Sequence, residues 1–143
     1  MLDAYRDLID DLLSTPSEIR ELVEASGAFA MSPETKRLVA ELRNRDRAIL
    51  ERVQTITRDE TPYLSALRVS ESTDDEDSSA LLEEMEVARG DLVSLLINLS
   101  LKDWTRGAID QTGSEITLAD EVERHVEFDE RQRRRLRETL SGS

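Results

Sequence analysis

Residues 118–140 read LADEVERHVEFDERQRRRLRETL, and the order of apolar and polar residues in this stretch decides the fold. Leu118, Val122, His125, Asp129, Gln132, Leu136 and Leu140 recur at three- and four-residue spacing, which places them on one face of a helix. The face is apolar at both ends and polar in the middle. Burying a polar group without a partner costs roughly 1–3 kcal/mol. His125, Asp129 and Gln132 therefore require a polar network, a bound ligand or the remnant of a site.

Working outward, three more helices share the same amphipathic logic. Thr117-Leu118-Ala119-Asp120 caps the last helix, and Lys102 to Gly113, with the lone Trp104, connects it to a helix over 80–99. That third helix turns Leu81, Met85, Ala88, Leu92, Leu95 and Leu99 inward. A second helix opens at Ser32-Pro33-Glu34, with Ser32 as N-cap, and runs to about Thr57 with Leu38, Leu42, Ile49, Val53 and Ile56 inward. Glu41 and Arg45 lie beside that stripe. The first helix covers 2–25 with Tyr5, Ile9, Leu12, Ile19 and Val23 on one face, and Gly27 ends it. Inside it Thr15-Pro16-Ser17-Glu18 reads as a capping box, so a kink or restart is expected there.

Between Asp59 and Ser79 the periodicity stops, and Glu71 to Asp77 is a run of acids and Ser/Thr, expected to be a mobile crossover. Short connections make neighbouring helices antiparallel, whereas a long one allows a parallel pair. The expectation is an all-α, four-helix bundle, up-down-down-up, with the crossover between helices two and three. All 143 residues are expected to form a single domain.

Composition narrows the function. Acidic residues number 32 against 19 basic ones, a net charge of −13, which repels phosphate backbones and argues against nucleic acid as a partner. The basic residues are Arg apart from Lys36 and Lys102, a balance that suits a salt-rich cytoplasm or a plain acidic surface. No cysteine is present, so disulfides and thiolate chemistry are excluded. No stretch reaches the roughly 20 apolar residues of a membrane span, and Met1-Leu2-Asp3-Ala4 begins no signal peptide. A cytoplasmic protein without a membrane partner is expected.

Candidate chemistry is sparse. In the functional reading of His125 and Asp129, the carboxylate fixes one ring nitrogen while the other faces a metal or substrate. The bland reading is a hydrogen bond that closes a buried polar layer. With one histidine, the remaining metal set is Glu41, His125 and Asp129. Asp75, Asp77, Ser79 and Glu86 approach calcium-loop spacing, but Ala80 replaces the required Gly. The run Arg131, Arg133, Arg134, Arg135 and Arg137 complements the helix dipole and pairs with nearby Glu, or grips an anion. Trp104 reads as a plug for the open end of the bundle. No nucleophile elbow, phosphate loop or second histidine supplies a catalytic residue.

Laid end to end, Ser32 to Asp46, Asp59 to Pro62, Leu101 to Arg106 and Gly113 to Leu136 resemble the DinB-like family of four-helix bundles, which includes metal-dependent thiol S-transferases. The resemblance covers nearly the whole chain. It implies that the family's three metal-binding histidines fall on Glu41, Phe128 and Gln132, so all three are lost. It implies a vestigial pocket of Glu41, Arg45, His125, Phe128, Asp129 and Gln132, with Phe128 filling the volume of the metal. On this reading the chain has no cofactor and no bound metal. It is a binding or interaction module for a small ligand or protein. The alternatives are a metal-dependent, thiol-transferase-like enzyme using Glu41, His125 and Asp129, and a structural or regulatory homodimer with a plugged pocket.

Overall fold

A computed structural model describes residues 3–27, 31–69 and 76–141. Four long helices dominate: α1 (Asp3–Ala25), α2 (Pro33–Arg58), α3 (Ser78–Ile97) and α5 (Leu118–Ser141). A short α4 (Leu101–Trp104) and a hairpin of β1 (Gly107–Ile109) and β2 (Glu115–Thr117) lie between α3 and α5. The sequence pattern over 102–113 reads only as a connection. Three-residue strands are too short to show a period, so this hairpin is an addition to the expected architecture.

The caps explain where the helices start. Ser32 accepts from the Thr35 N–H, Asp77 from Ala80, and Ser100 and Asp103 exchange bonds in a capping box. Thr117 and Asp120 do the same at the start of α5. Thr15-Pro16-Ser17-Glu18 does not cap anything: α1 passes through Pro16 without interruption. The Thr15 hydroxyl instead bonds the Asp11 carbonyl and Asp129, which leaves it no role as an N-cap. At the other end Gly27 adopts φ +75 and terminates the helix.

Packing follows two apolar clusters. One gathers Ile9 and Leu12 with Ile49, Val53, Ile56, Leu92, Leu96, Trp104, Leu118 and Val122. The other gathers Ile19 and Val23 with Leu38, Leu42, Leu81, Met85 and Leu136. The starts of α1 and α5 and the ends of α2 and α3 thus share one pole. The bundle runs up-down-down-up, α2 and α3 being the parallel pair. Burial of these side chains is the main stabilising term, about 1.5–3 kcal/mol for each large apolar residue.

The crossover is tied at both ends. Leu64 N–H donates to the Ile109 carbonyl and Ile109 N–H to that of Pro62, adding a parallel edge to β1. At its other end buried Arg43 pairs with Glu76 (2.6 Å) and Glu84 (2.9 Å). The acidic run at 71–75, including Asp74 and Asp75, lies outside the described residues. Asp77 serves as a cap and Glu86 pairs with Arg20, so neither belongs to a calcium loop. Trp104 is fully buried and stacks on Tyr5 at 4.5 Å, in the position of a plug. Among the described residues, no helix is long and apolar enough to cross a membrane.

Candidate functional site

Between the two apolar clusters lies a polar layer built around Arg89, which is 1% exposed. A guanidinium carries five N–H donors, and here each meets an acceptor on another helix. Nε donates to Asp46 of α2 at 3.1 Å. Nη1 donates to the Leu12 carbonyl of α1 and to Asp129 Oδ2 of α5, both at 2.7 Å. Nη2 donates to Asp46 Oδ1 at 2.9 Å and to Asp129 Oδ1 at 2.8 Å. Burial pulls the Arg89 pKa down, but the charge of Asp46 and the hydrogen bonds and charge of Asp129 outweigh it and hold it above the ordinary arginine value.

The Leu12 carbonyl is free to join this layer because of Pro16. In a regular helix that carbonyl accepts the N–H four residues later, and proline has none. The orphaned acceptor faces inward and takes an Arg89 hydrogen instead. A residue that looks like a helix break in the sequence thus supplies a buried acceptor to the centre of the bundle.

His125 is fully buried, and its Nε2 lies 2.6 Å from Asp46 Oδ1. Its Nδ1 accepts from Arg45 Nε at 3.2 Å, which assigns the ring proton to Nε2 and makes that nitrogen the donor to Asp46. The 3.4 Å approach of Arg89 Nη2 to Nε2 joins two donors and is a contact only. The expected partner Asp129 is turned away from the ring: both its oxygens bond Arg89, and Oδ2 also accepts from Thr15 at 2.9 Å. Periodicity along α5 places both side chains inward, but the choice of partner comes from α2 and α3.

The remaining pocket residues form two separate groups. Glu41 Oε1 accepts from Arg37 at 2.9 Å, and Oε2 accepts from Gln132 Nε2 at 3.0 Å, with Arg135 at 3.6 Å. The same Gln132 nitrogen donates to the Leu38 carbonyl at 2.7 Å. Arg45 stands over the Phe128 ring, 4.6 Å from its centroid, and Phe128 stacks parallel to His125 at 6.0 Å. Burial pushes the Arg45 pKa below the ordinary arginine value. Arg131 and Arg52 add to the shift, while Glu121 and Asp129 oppose it. Elsewhere in the arginine run, Arg133 and Arg137 reach Glu18 on α1 rather than neighbours on α5.

A divalent metal does not fit the three positions Glu41, Phe128 and Gln132. The carboxylate of Glu41 is engaged by Arg37 and Gln132, Phe128 has no lone pair to offer, and Gln132 turns its amide nitrogen toward Glu41. Among the described residues, no group of three or more His, Asp or Glu side chains converges as metal ligands would.

No protein-family model matches the sequence, and no curated protein is significantly similar to it. The fold is similar to that of YfiT from Bacillus subtilis, described as a probable metal-dependent hydrolase with an unusual four-helix bundle topology. The two superpose with a TM-score of 0.76 at 18% identity, over 99% of this chain and 87% of that one. This is the same bundle. At that identity the likeness concerns the fold, and the chemistry rests on the residues each chain places in it.

Two residues of the layer, Arg89 and Asp46, escape a reading based on the polar stripe of α5 alone. The signal is nevertheless present. Asp46 lies four residues after Leu42 and three before Ile49, and Arg89 four after Met85 and three before Leu92. A charged residue on an apolar stripe, matched by the opposite charge on another helix, marks a buried ion pair.

Proposed function

We propose that this chain is a non-catalytic, metal-free bundle that works as a binding or interaction module. The observation that carries the reading is the saturation of Arg89. A fixed cation occupies the polar centre and holds both Asp46 and Asp129 by two N–H groups each. Asp129 would have to give up those bonds to ligate a metal, leaving a buried guanidinium short of acceptors at a cost of about 1–3 kcal/mol for each lost bond. Glu41, the other carboxylate near the seam, is committed to Arg37 and Gln132.

The second reading, a metal-dependent hydrolase, draws on the description of YfiT and on the shared fold. Elemental mass spectrometry of tag-free protein, after incubation with zinc, nickel and manganese and then desalting, separates the two. The expected result is below about a tenth of a metal per chain, since a stable site takes three or more converging ligands. Near one metal per chain, lost in Glu41→Ala and His125→Ala proteins of normal helicity, would install the enzyme reading instead.

A further inference from the structure

We propose that Arg45, seated against His125 and Phe128 at the seam of α2 and α5, is a binding site for a small oxyanion, a carboxylate or phosphate group. Its inner N–H is committed: Nε donates to His125 Nδ1 at 3.2 Å. Its plane rests over Phe128 at 4.6 Å, a contact that fixes orientation without using a donor. Among the described residues, neither Nη atom has an acceptor, and neither is sealed from solvent. The result is a pre-set fork of N–H groups, in the geometry that matches two oxygens of a carboxylate or phosphate.

The surrounding charge favours an anion at this spot despite a net charge of −13. Arg131 lies one turn beyond Phe128 on the same face of α5, is exposed and has no ion-pair partner among the described residues. Arg52 lies two turns along α2 from Arg45, and with Arg124 it holds Glu121. Asp129 and Asp46 are turned inward to Arg89. The depressed pKa of Arg45 is what a half-buried cation without a sufficient counter-charge shows. Arg131 and Arg52 act on Arg45 against Glu121 and Asp129, and both of those carboxylates are already held by other arginines.

This inference rests on the metal-free reading, because a metal at the seam would itself recruit the anion. His125 is the sole histidine, so its ring proton signals report on the site without assignment. The experiment follows them by NMR at fixed pH while sodium phosphate, sodium acetate or sodium chloride is added at matched ionic strength. Phosphate, acetate or both should give a saturable shift that chloride does not. Affinity should fall at least about tenfold in Arg45→Gln, where the fork is lost, and about threefold in Arg131→Ala, where only a screened charge is lost. Arg58→Ala, on the same helix but about 20 Å away, should bind as the parent does. A response identical to that of chloride would overturn the proposal, as would undiminished affinity in the Arg45 and Arg131 variants. If Arg45→Gln fails to fold, the exposed Arg131 variant decides. Anion binding that appears only after metal loading would overturn both this inference and the metal-free reading. Absence of binding in metal-free protein would overturn the inference alone.

Discussion

Arg89 is the residue on which the centre of the bundle turns. It touches all three other long helices, through the Leu12 carbonyl, Asp46 and Asp129. A buried ion pair is weak evidence for net stability, because desolvation of the charges offsets their attraction, but removal of one partner is costly. Arg89→Met should therefore destabilise the protein by about 3–5 kcal/mol, leaving two carboxylates facing each other without a cation. Arg89→Lys keeps the charge but has three donors on one nitrogen, so it cannot reach acceptors on three helices at once. It should cost less than Arg89→Met, about 1–3 kcal/mol. Urea unfolding followed by circular dichroism measures both, and equal losses would show that the fork geometry, and not the charge alone, holds the layer.

At the scale of the element, α1 and the hairpin each carry a device with a testable consequence. Proline inside a helix ordinarily costs about 3 kcal/mol relative to alanine. Here Pro16 releases the Leu12 carbonyl to Arg89, so Pro16→Ala should restore the helix bond while weakening a buried charged one. The net change in unfolding free energy should stay within about 1 kcal/mol of zero, the two effects being of similar size. A full gain near 3 kcal/mol would mean that Arg89 does not need this acceptor. In the hairpin loop, Asp110 accepts from the Thr112 hydroxyl, which holds its carboxyl below the ordinary value. Burial opposes the shift, and the Ser114 and Thr112 N–H groups reinforce it. A lowered folded-state pKa means stability that is present above the unfolded value of about 3.9 and is lost as pH falls through the folded one. Asp110→Ala should thus remove part of the acid sensitivity of the hairpin, and amide exchange at Ser114 across that range would show it. These elements also mark what the sequence exposes. The stripes of α2, α3 and α5 follow from periodicity, and the caps of α2 and α5 from Ser32 and Thr117, whereas Asp77 stands in an acidic run that gives no sign of its capping role. The meaning of Pro16 does not, since proline breaks most helices and only a tertiary partner for the freed carbonyl makes it tolerable. Likewise the pocket residues are individually visible as misfits on apolar stripes, whereas their pairing (Asp46 with His125, Asp129 with Arg89) depends on rotation of one helix against another.

For the whole molecule, an ionic layer between two apolar clusters fixes the register of four helices. Sliding one helix by a turn would bury Arg89 among leucines and separate it from Asp46 and Asp129. The rest of the charge works against compactness: the surface carries most of a net −13, a self-repulsion that screening relieves. Ion pairs at the surface oppose this trend, since Arg20–Glu86, Arg37–Glu34 and Arg37–Glu41 are partly exposed and salt weakens them too. Pairs of that kind contribute about 0–1 kcal/mol each, less than the summed repulsion of a thirteen-charge excess. The melting temperature should therefore rise by a few degrees between about 0.1 and 1 M potassium chloride, as the Debye length shrinks from about 10 to 3 Å. The destabilisation caused by Arg89→Met should stay constant across the same range, because its partners are sealed from the ions. Calorimetry of both proteins at each salt concentration tests the two statements together. A falling melting temperature would show that exposed pairs outweigh net repulsion, and a salt-dependent penalty for Arg89→Met would show that solvent reaches the central layer.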